Sequence, residues 1–452
     1  MANPETSMIV GKGGREDALR RAHVRSKQID RVVVAPGNDF MTLDQNKEVI
    51  IEPTDLTDSA RLIEIAKKYQ PSIIEVAQDD ALAAGVADRL REAGFRTFGV
   101  SAAAAILEAD KTWARELMVQ EGIRVPFFRF CSTSDDAWQY LRKRYFEDSG
   151  DHLFLKLPCL HAGKGVSDSR NLSQAATELD RLTQMAGEGE GILIEDAIYD
   201  HEADAPGEEF SYFGYSDGEN LLYLKSAQDN KRLYDGDHGP NTGGMGAVAR
   251  ALVTEHRERD IQDEIMQPLV DGMTRQGRRL EGVVYLGGMA LPGGGEVPVE
   301  VNVRPGDPEF QVLGPGIESD YVELIKRGAE GGFGDYELIE DEEARVCVVG
   351  TSPGYPDMAR TGLEITGISR AMQVSGVEIF SAAIKIEDGK FYSDGGRFIN
   401  VVGKGRDAAG AQIAAYEAMS YLGLKTGNGD PVEIVKRKDI AHRDVARLRE
   451  AA

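Results

Sequence analysis

Ser7-Met8-Ile9-Val10-Gly11-Lys12-Gly13-Gly14-Arg15-Glu16-Asp17-Ala18-Leu19 reads as an apolar strand, a glycine turn and the start of a helix. The same unit recurs downstream. Residues 31–35 run apolar into Pro36-Gly37-Asn38, residues 48–51 form another apolar run, 57–69 carry a helical pattern, and 72–76 read as a further strand. Strands alternating with helices imply parallel βαβ units, so this segment is expected to be a small doubly wound α/β domain. Ligands of such sheets gather outside the carboxyl ends of the strands, where the glycine turn and Pro36-Gly37-Asn38 both fall.

At 452 residues the chain exceeds what one hydrophobic core supports, and several domains are expected. Past residue 108 the pattern changes. Ser134-Asp135-Asp136-Ala137 opens a capped helix, and Phe154-Leu155-Lys156 reads as a strand entering the glycine loop Ala162-Gly163-Lys164-Gly165-Val166. Strands are expected at 192–195, 210–215, 283–289 and 297–303, with a long glycine- and asparagine-rich loop at 228–246 between them. A loop of that length inside a compact domain is usually functional. From about residue 343 the chain reads as short strands at 344–350, 378–386 and 398–403, then an amphipathic helix over 407–422, expected to form a separate small α+β domain. These breaks give segments 1–108, 109–330 and 331–452.

A formal net charge of −24 excludes a general nucleic-acid binder, which needs clustered Lys and Arg, but leaves room for a local basic pocket. The 3 Cys and 7 His show no metal-ligand spacing, and an odd, sparse set of thiols suits a reducing cytoplasm. The amino terminus has no charged region ahead of a long apolar run, so neither signal peptide nor membrane span is expected.

Glu300-Val301-Asn302 carries the most chemical information. Strand residues two apart share a face, so Glu300 and Asn302 offer hard oxygen ligands side by side, a set suited to Mg²⁺. The bland alternative is an edge strand facing water. Arg304-Pro305-Gly306-Asp307-Pro308-Glu309 follows at once and sets a guanidinium beside a turn, a clamp for carboxylate or phosphate. Lys156 and Lys164 form a second group, the latter flanked by glycines that allow a flap to close over a triphosphate. Glu195, and Glu208 or Glu209, could hold an adenine amino group and ribose hydroxyls. The third group is Gln228-Asp229-Asn230-Lys231-Arg232 leading to Gly239-Pro240-Asn241-Thr242-Gly243-Gly244-Met245-Gly246. It reads either as a mobile surface loop or as the closing lid of an acyl-phosphate site.

These segments together resemble the phosphoribosylamine–glycine ligase family along nearly the whole chain. Residues 239–246 match its GPNTGGMG, 228–232 are similar to QDHKR, 304–309 to RFGDPE, 160–166 to LAAGKGV, 11–19 to GSGGREHAL, and 35–38 match APGN. Residues 106–115, ILEADKTWAR, resemble QLEGSKAFAK, and Gly354-Tyr355-Pro356, Gly395-Gly396-Arg397 and residues 437–440 extend the likeness to the carboxyl end. The resemblance implies a multidomain α/β and α+β chain: a doubly wound amino-terminal domain, an ATP-grasp core over 109–330 and a small α+β carboxyl-terminal domain. It implies an ADP-forming carbon–nitrogen ligase of de novo purine synthesis that phosphorylates the glycine carboxylate and joins it to 5-phosphoribosylamine. ATP and Mg²⁺ (or Mn²⁺) are the implied cofactors. The implied partners are small molecules, an amino acid and an amine, with no nucleic acid and no membrane, in a cytoplasmic monomer or homodimer.

On this resemblance Glu300 and Asn302 hold the metal, while Lys111, Lys156, Lys164, Glu195, Glu208, Asn241, Gly243 and Gly244 surround the nucleotide. Gly13, Gly14, Arg15, Gly37, Asn38, Asp79 and Asp307 bind substrate, and Arg304, Asp229 and Lys231 serve catalysis. Departures cluster near these positions. The family's GREH is Gly14-Arg15-Glu16-Asp17 here, VGPEAPL is Val76-Ala77-Gln78-Asp79-Asp80-Ala81-Leu82, the threonine of RFGDPET is Phe310, and an acidic insert occupies 200–205. A carboxylate about 4 Å from a phosphate costs roughly 4 kcal/mol at an effective dielectric near 20. Either Asp17 points away from the glycine turn, which is the favoured reading, or the acceptor is not a ribosyl phosphate amine. The competing functional reading is an ATP-grasp paralogue joining a different carboxylate and amine.

Overall fold

The structure is a computed structural model that describes residues 4–43, 46–147, 152–161, 164–187 and 189–451. Its amino-terminal sheet has the strand order Glu48–Ile51, Arg31–Pro36, Thr6–Gly11, Ile73–Val76, Thr97–Phe98, and every neighbouring pair is parallel. The order reverses at Thr6–Gly11, which lies between Arg31–Pro36 and Ile73–Val76. The crevice at this switch point is bordered by the glycine turn and by Ala77-Gln78-Asp79, where a doubly wound sheet binds its ligand.

A small lobe follows. Its antiparallel sheet runs Phe128–Cys131, Ile192–Asp196, Leu153–Lys156, Val166–Ser169, and the helices Ser134–Glu147 and Leu172–Met185 cover it. Leu141, Leu153, Leu155, Leu179 and Ile194 form its apolar centre. The flap leaves from the end of Leu153–Lys156, and of its residues Ala162 and Gly163 lie outside those described.

The large sheet orders Glu296–Asn302, Glu281–Ala290, Glu208–Asp217, Ala227–Asp229, Gly246–Ala249, Ala344–Thr351, Arg397–Gly405 and Val377–Ser381. The carboxyl-terminal α+β unit expected from residue 343 shares this sheet. Gly246–Ala249 pairs antiparallel with Ala344–Thr351, so the late strands continue the sheet begun by the middle of the chain. One core cluster accordingly joins Ile9 and Leu19, Phe213 and Tyr285, and Val349 and Val402. The helix Ala408–Ser420 is capped by the Asp407 carboxylate, which accepts the Gly410 N–H.

The 228–246 segment is likewise no open loop. It contributes Ala227–Asp229, Arg232–Tyr234, His238–Asn241 and Gly246–Ala249, and Gln228, Asp229, Asn230 and Met245 are buried. Backbone pairing with neighbours distant in the chain provides the order that its polar residues do not encode locally. The acidic insert is a hairpin of Tyr199–Asp200 with Ala205–Pro206, and Asp200 accepts the Gly293 N–H at 2.7 Å. Among the described residues no helix is long and apolar enough to cross a membrane.

Candidate active site

The strand Glu296–Asn302 pairs with Glu281–Ala290, and Val301 packs into the core, so Glu300 and Asn302 share the opposite face. The Glu300 Oε1 lies 3.2 Å from the Lys231 Nζ. That ammonium holds the Glu300 carboxyl down to about 2, against the effect of burial. Burial pushes the Asp229 carboxyl well above the usual range; Lys231 opposes this, whereas Glu309, Glu209 and Glu300 reinforce it. Burial would lower Lys231, but Glu300, Asp229 and Glu209 outweigh it and hold the ammonium well above its ordinary value. One internal cation thus faces several carboxylates, a field that favours a further cation.

Arg304 follows this strand. Its Nη2 lies 3.0 Å from the Glu108 Oε1 and donates to the Asn302 Oδ1 at 3.2 Å. Glu108 is aimed by the Val303 N–H, which it accepts at 2.8 Å. Arg15 arrives from the amino-terminal helix Gly14–Arg25, its Nε 2.6 Å from the Glu16 Oε1 and its Nη1 donating to the Pro305 carbonyl at 2.8 Å. Burial alone would raise Asp79, but Arg304 and Arg15 hold its carboxyl below the ordinary range. Asp307 accepts the Gln311 amide at 2.6 Å, and its Oδ2 would lie 3.4 Å from a Cβ on Gly13. Gly13, Gly14, Arg15, Asp79, Arg304 and Asp307 therefore converge on one corner, where two arginines stand among carboxylates. Gly37, at φ +63°, and Asn38 brace it from outside: the Asn38 amide donates to the Lys12 carbonyl at 3.0 Å, and its oxygen accepts the Ser381 hydroxyl.

Asp17 lies behind this corner. It is fully buried, 2.7 Å from the Arg20 guanidinium, and accepts the Ser381 N–H at 2.8 Å. The favoured reading holds: this carboxylate points away from the glycine turn.

On the small-lobe side, the Lys156 Nζ is 2.5 Å from the Glu195 Oε2 and the Arg115 Nε is 2.6 Å from the Glu195 Oε1. Arg115 also donates to the carbonyls of Pro298 and Val299, at 3.1 and 2.8 Å, just before Glu300. Lys111 donates to the Cys159 carbonyl at 2.9 Å, and burial lowers its ammonium against the pull of Glu300. Lys164 is exposed on the flap, and Asn241 is exposed on its short strand.

Two residues expected at the nucleotide make ion pairs within the chain. Glu195 is only 3% exposed, and both its oxygens are engaged, by Lys156 and Arg115. Glu208 is ion-paired with Arg447 and accepts the Gln228 amide at 2.8 Å. Strand alternation aims Glu209 instead at the Asp229 and Lys231 cluster. Residues missed from the sequence include Glu108, Arg115 and Glu309, the last accepting the Tyr285 hydroxyl at 2.5 Å. Glu108, directly after Ile106-Leu107, is a charge on an apolar run, a signal that could have marked it.

Family models describe the same chain as the N domain of phosphoribosylglycinamide synthetase over residues 6–108, its ATP-grasp (A) domain over 109–310 and its C domain over 345–443. A phosphoribosylamine–glycine ligase of Rhodopirellula baltica is 35% identical over 421 residues, covering 92% of this chain and 94% of that protein. A crystal structure of phosphoribosylamine–glycine ligase from Thermotoga maritima superposes with a TM-score of 0.77 at 26% identity, covering 96% of this chain and 99% of that one. The biotin carboxylase domain of the Hydrogenobacter thermophilus 2-oxoglutarate carboxylase, solved with MgADP and bicarbonate, shares the fold alone. Its identity is 15% and its TM-score 0.68, over 96% of this chain and 92% of that one.

Proposed function

Because this chain belongs to the phosphoribosylglycinamide synthetase family, we propose that it joins glycine to 5-phosphoribosylamine through an acyl phosphate, converting ATP to ADP and phosphate. The observation that carries the reading is the arrangement along one strand end. Glu300, with Lys231 and Asp229, faces the lysines of the small lobe, and Arg304 with Arg15 and Asp79 begins two to four residues further along or directly opposite. On this reading nucleotide and amine take opposite sides of a single carboxylate-bearing site.

Glu300 and Asn302 fit a divalent cation, Mg²⁺ or Mn²⁺. A carboxylate and an amide oxygen suit an ion that completes its shell with phosphate oxygens and water. When bound, such an ion neutralises charge on the transferring phosphoryl group. Lys156 and Lys111 are placed to grip the phosphates, with Lys164 closing over them from the flap, and Glu195 keeps Lys156 extended toward Glu300. The glycine carboxylate oxygen attacks the γ-phosphorus and ADP leaves. The amine nitrogen then attacks the acyl carbon, sheds a proton and expels phosphate. Asp229, kept protonatable by its buried site, and Lys231 lie where that proton and the developing negative charge are handled. Arg15 and Arg304 hold the anionic end of the amine on this reading, Arg15 fixed by Glu16 and the Pro305 carbonyl and Arg304 by Glu108 and Asn302. Catalysis on this reading is alignment and charge neutralisation.

The reading is tested by ADP release from purified protein with ATP, Mg²⁺, glycine and freshly generated phosphoribosylamine. Release that requires both glycine and the amine is expected. Release with some other acid and amine, and none with these, would replace this reading by the paralogue.

A further inference from the structure

We propose that Arg397 and Tyr355, from the carboxyl-terminal part of the chain, are positioning residues for the amine side of the site, clamping Gly243, Gly244 and Asp307 against the amino-terminal glycine turn. The assignment rests on the ligase reading above and names the part of the molecule that sets its geometry.

Arg397 begins the strand Arg397–Gly405, and its side chain is 19% exposed. Its Nη1 donates to the carbonyl oxygens of Gly243 at 2.5 Å and Asp307 at 2.7 Å, with a longer contact to Gly244 at 3.4 Å. Its Nη2 lies 3.3 Å from the Asp307 carboxylate. Only a planar fork of donors reaches several carbonyls and a carboxylate at once; an ammonium is a single point charge. From the other side the Tyr355 hydroxyl accepts the Gly243 N–H at 3.0 Å. The glycines are required by this closeness. A Cβ on Gly243 would stand 3.0 Å from the Arg397 Cζ, one on Gly244 (φ +109°) 2.4 Å from the Pro308 Cδ, and one on Gly396 2.4 Å from the Tyr355 ring. Gly243 and Gly244, expected around the nucleotide, are in this way tied to Asp307, whose Oδ2 would lie 3.4 Å from a Cβ on Gly13.

The middle of the segment is fastened from the same direction. Arg437 lies 2.6 Å from Asp237, the Lys438 N–H donates to Asp235 at 2.7 Å, and the Gly236 N–H donates to Asp439 at 2.8 Å. The segment is therefore fastened at 235–237 and again at 243–244 by residues from the carboxyl-terminal part of the chain. A displacement on the order of 1 Å in such a segment costs about a hundredfold in rate.

The test uses the full chain with Arg397→Ala, Arg397→Lys and Tyr355→Phe, each characterised by steady-state kinetics in all three substrates, ATP titration calorimetry and thermal melting. Expected is a loss of about a hundredfold in kcat/KM for the amine in both Arg397 variants, with ATP affinity within about twofold of wild type. Added guanidinium ion restores part of the Arg397→Ala rate. Tyr355→Phe, which removes one acceptor and threatens the fold least, loses roughly five- to tenfold on the amine alone. Variants as fast as wild type, or losses shared equally with ATP affinity and unrelieved by guanidinium, would overturn the assignment while an active wild type leaves the ligase reading standing. A wild type that joins nothing overturns that reading and the clamp with it.

Discussion

Glu195→Gln isolates the ion cluster beneath the nucleotide site. Glu195 is the shared partner of Lys156 and Arg115, and although burial would raise its carboxyl, those two cations hold it at about 2 rather than 4.5. At ~1.4 kcal/mol per tenfold, that displacement corresponds to about 3 kcal/mol in favour of the folded, ionised form. Cutting a buried pair and leaving its cations uncompensated costs a similar ~3–5 kcal/mol. A depressed carboxyl contributes stability that is fully present above its unfolded pKa near 4.5 and is lost as pH falls toward about 2. The variant lacks that contribution at every pH, so the two proteins should differ by about 3 kcal/mol at pH 7 and converge in acid. A chain of several packed units does not unfold as one step, so the readout is amide hydrogen exchange in the strand Ile192–Asp196. Exchange there should be on the order of a hundredfold faster in Glu195→Gln at pH 7. Protection within about threefold of wild type, or a gap that stays constant as the pH is lowered through 4, would refute the reasoning.

Other substitutions probe the remaining parts of the site. Glu300→Ala should abolish turnover while circular dichroism stays native; a wild-type rate at saturating Mg²⁺ would show that the metal is held elsewhere. In Lys231→Met the Glu300 carboxyl loses the cation that depresses it most, so its pKa should rise from about 2 and the acidic limb of the pH–rate profile should move to higher pH. An unmoved acidic limb would contradict that coupling. Asp17→Asn should weaken the joint with Ser381 and lower the melting temperature without changing the KM for the amine; a tenfold fall in that KM would mean that Asp17 had been repelling the substrate.

The amino-terminal domain was legible because parallel strands buried on both faces are continuous apolar runs, as at Met8, Ile9 and Val10 or Val32, Val33 and Val34, and because glycine turns mark their ends. Glu300 and Asn302 were legible for a related reason: a period of two survives in any strand with one face in the core. The choice between Glu208 and Glu209 was not. Their strand is buried on both faces from Phe210 onward, so no polar alternation reveals which carboxylate turns inward. Asp17 was ambiguous because its partner Ser381 lies 364 positions away, and a charge beside a glycine turn looks the same whichever way it points. The order within 228–246 was not legible for the same physical reason: it comes from Tyr355, Arg397 and Arg437, none of them near in sequence.

Glycine labelled with ¹⁸O in its carboxylate tests the central claim most directly. If the carboxylate is activated by phosphorylation at this site, one labelled oxygen per turnover should appear in the inorganic phosphate. Turnover that forms the amide and ADP while leaving the phosphate unlabelled would contradict the acyl-phosphate route.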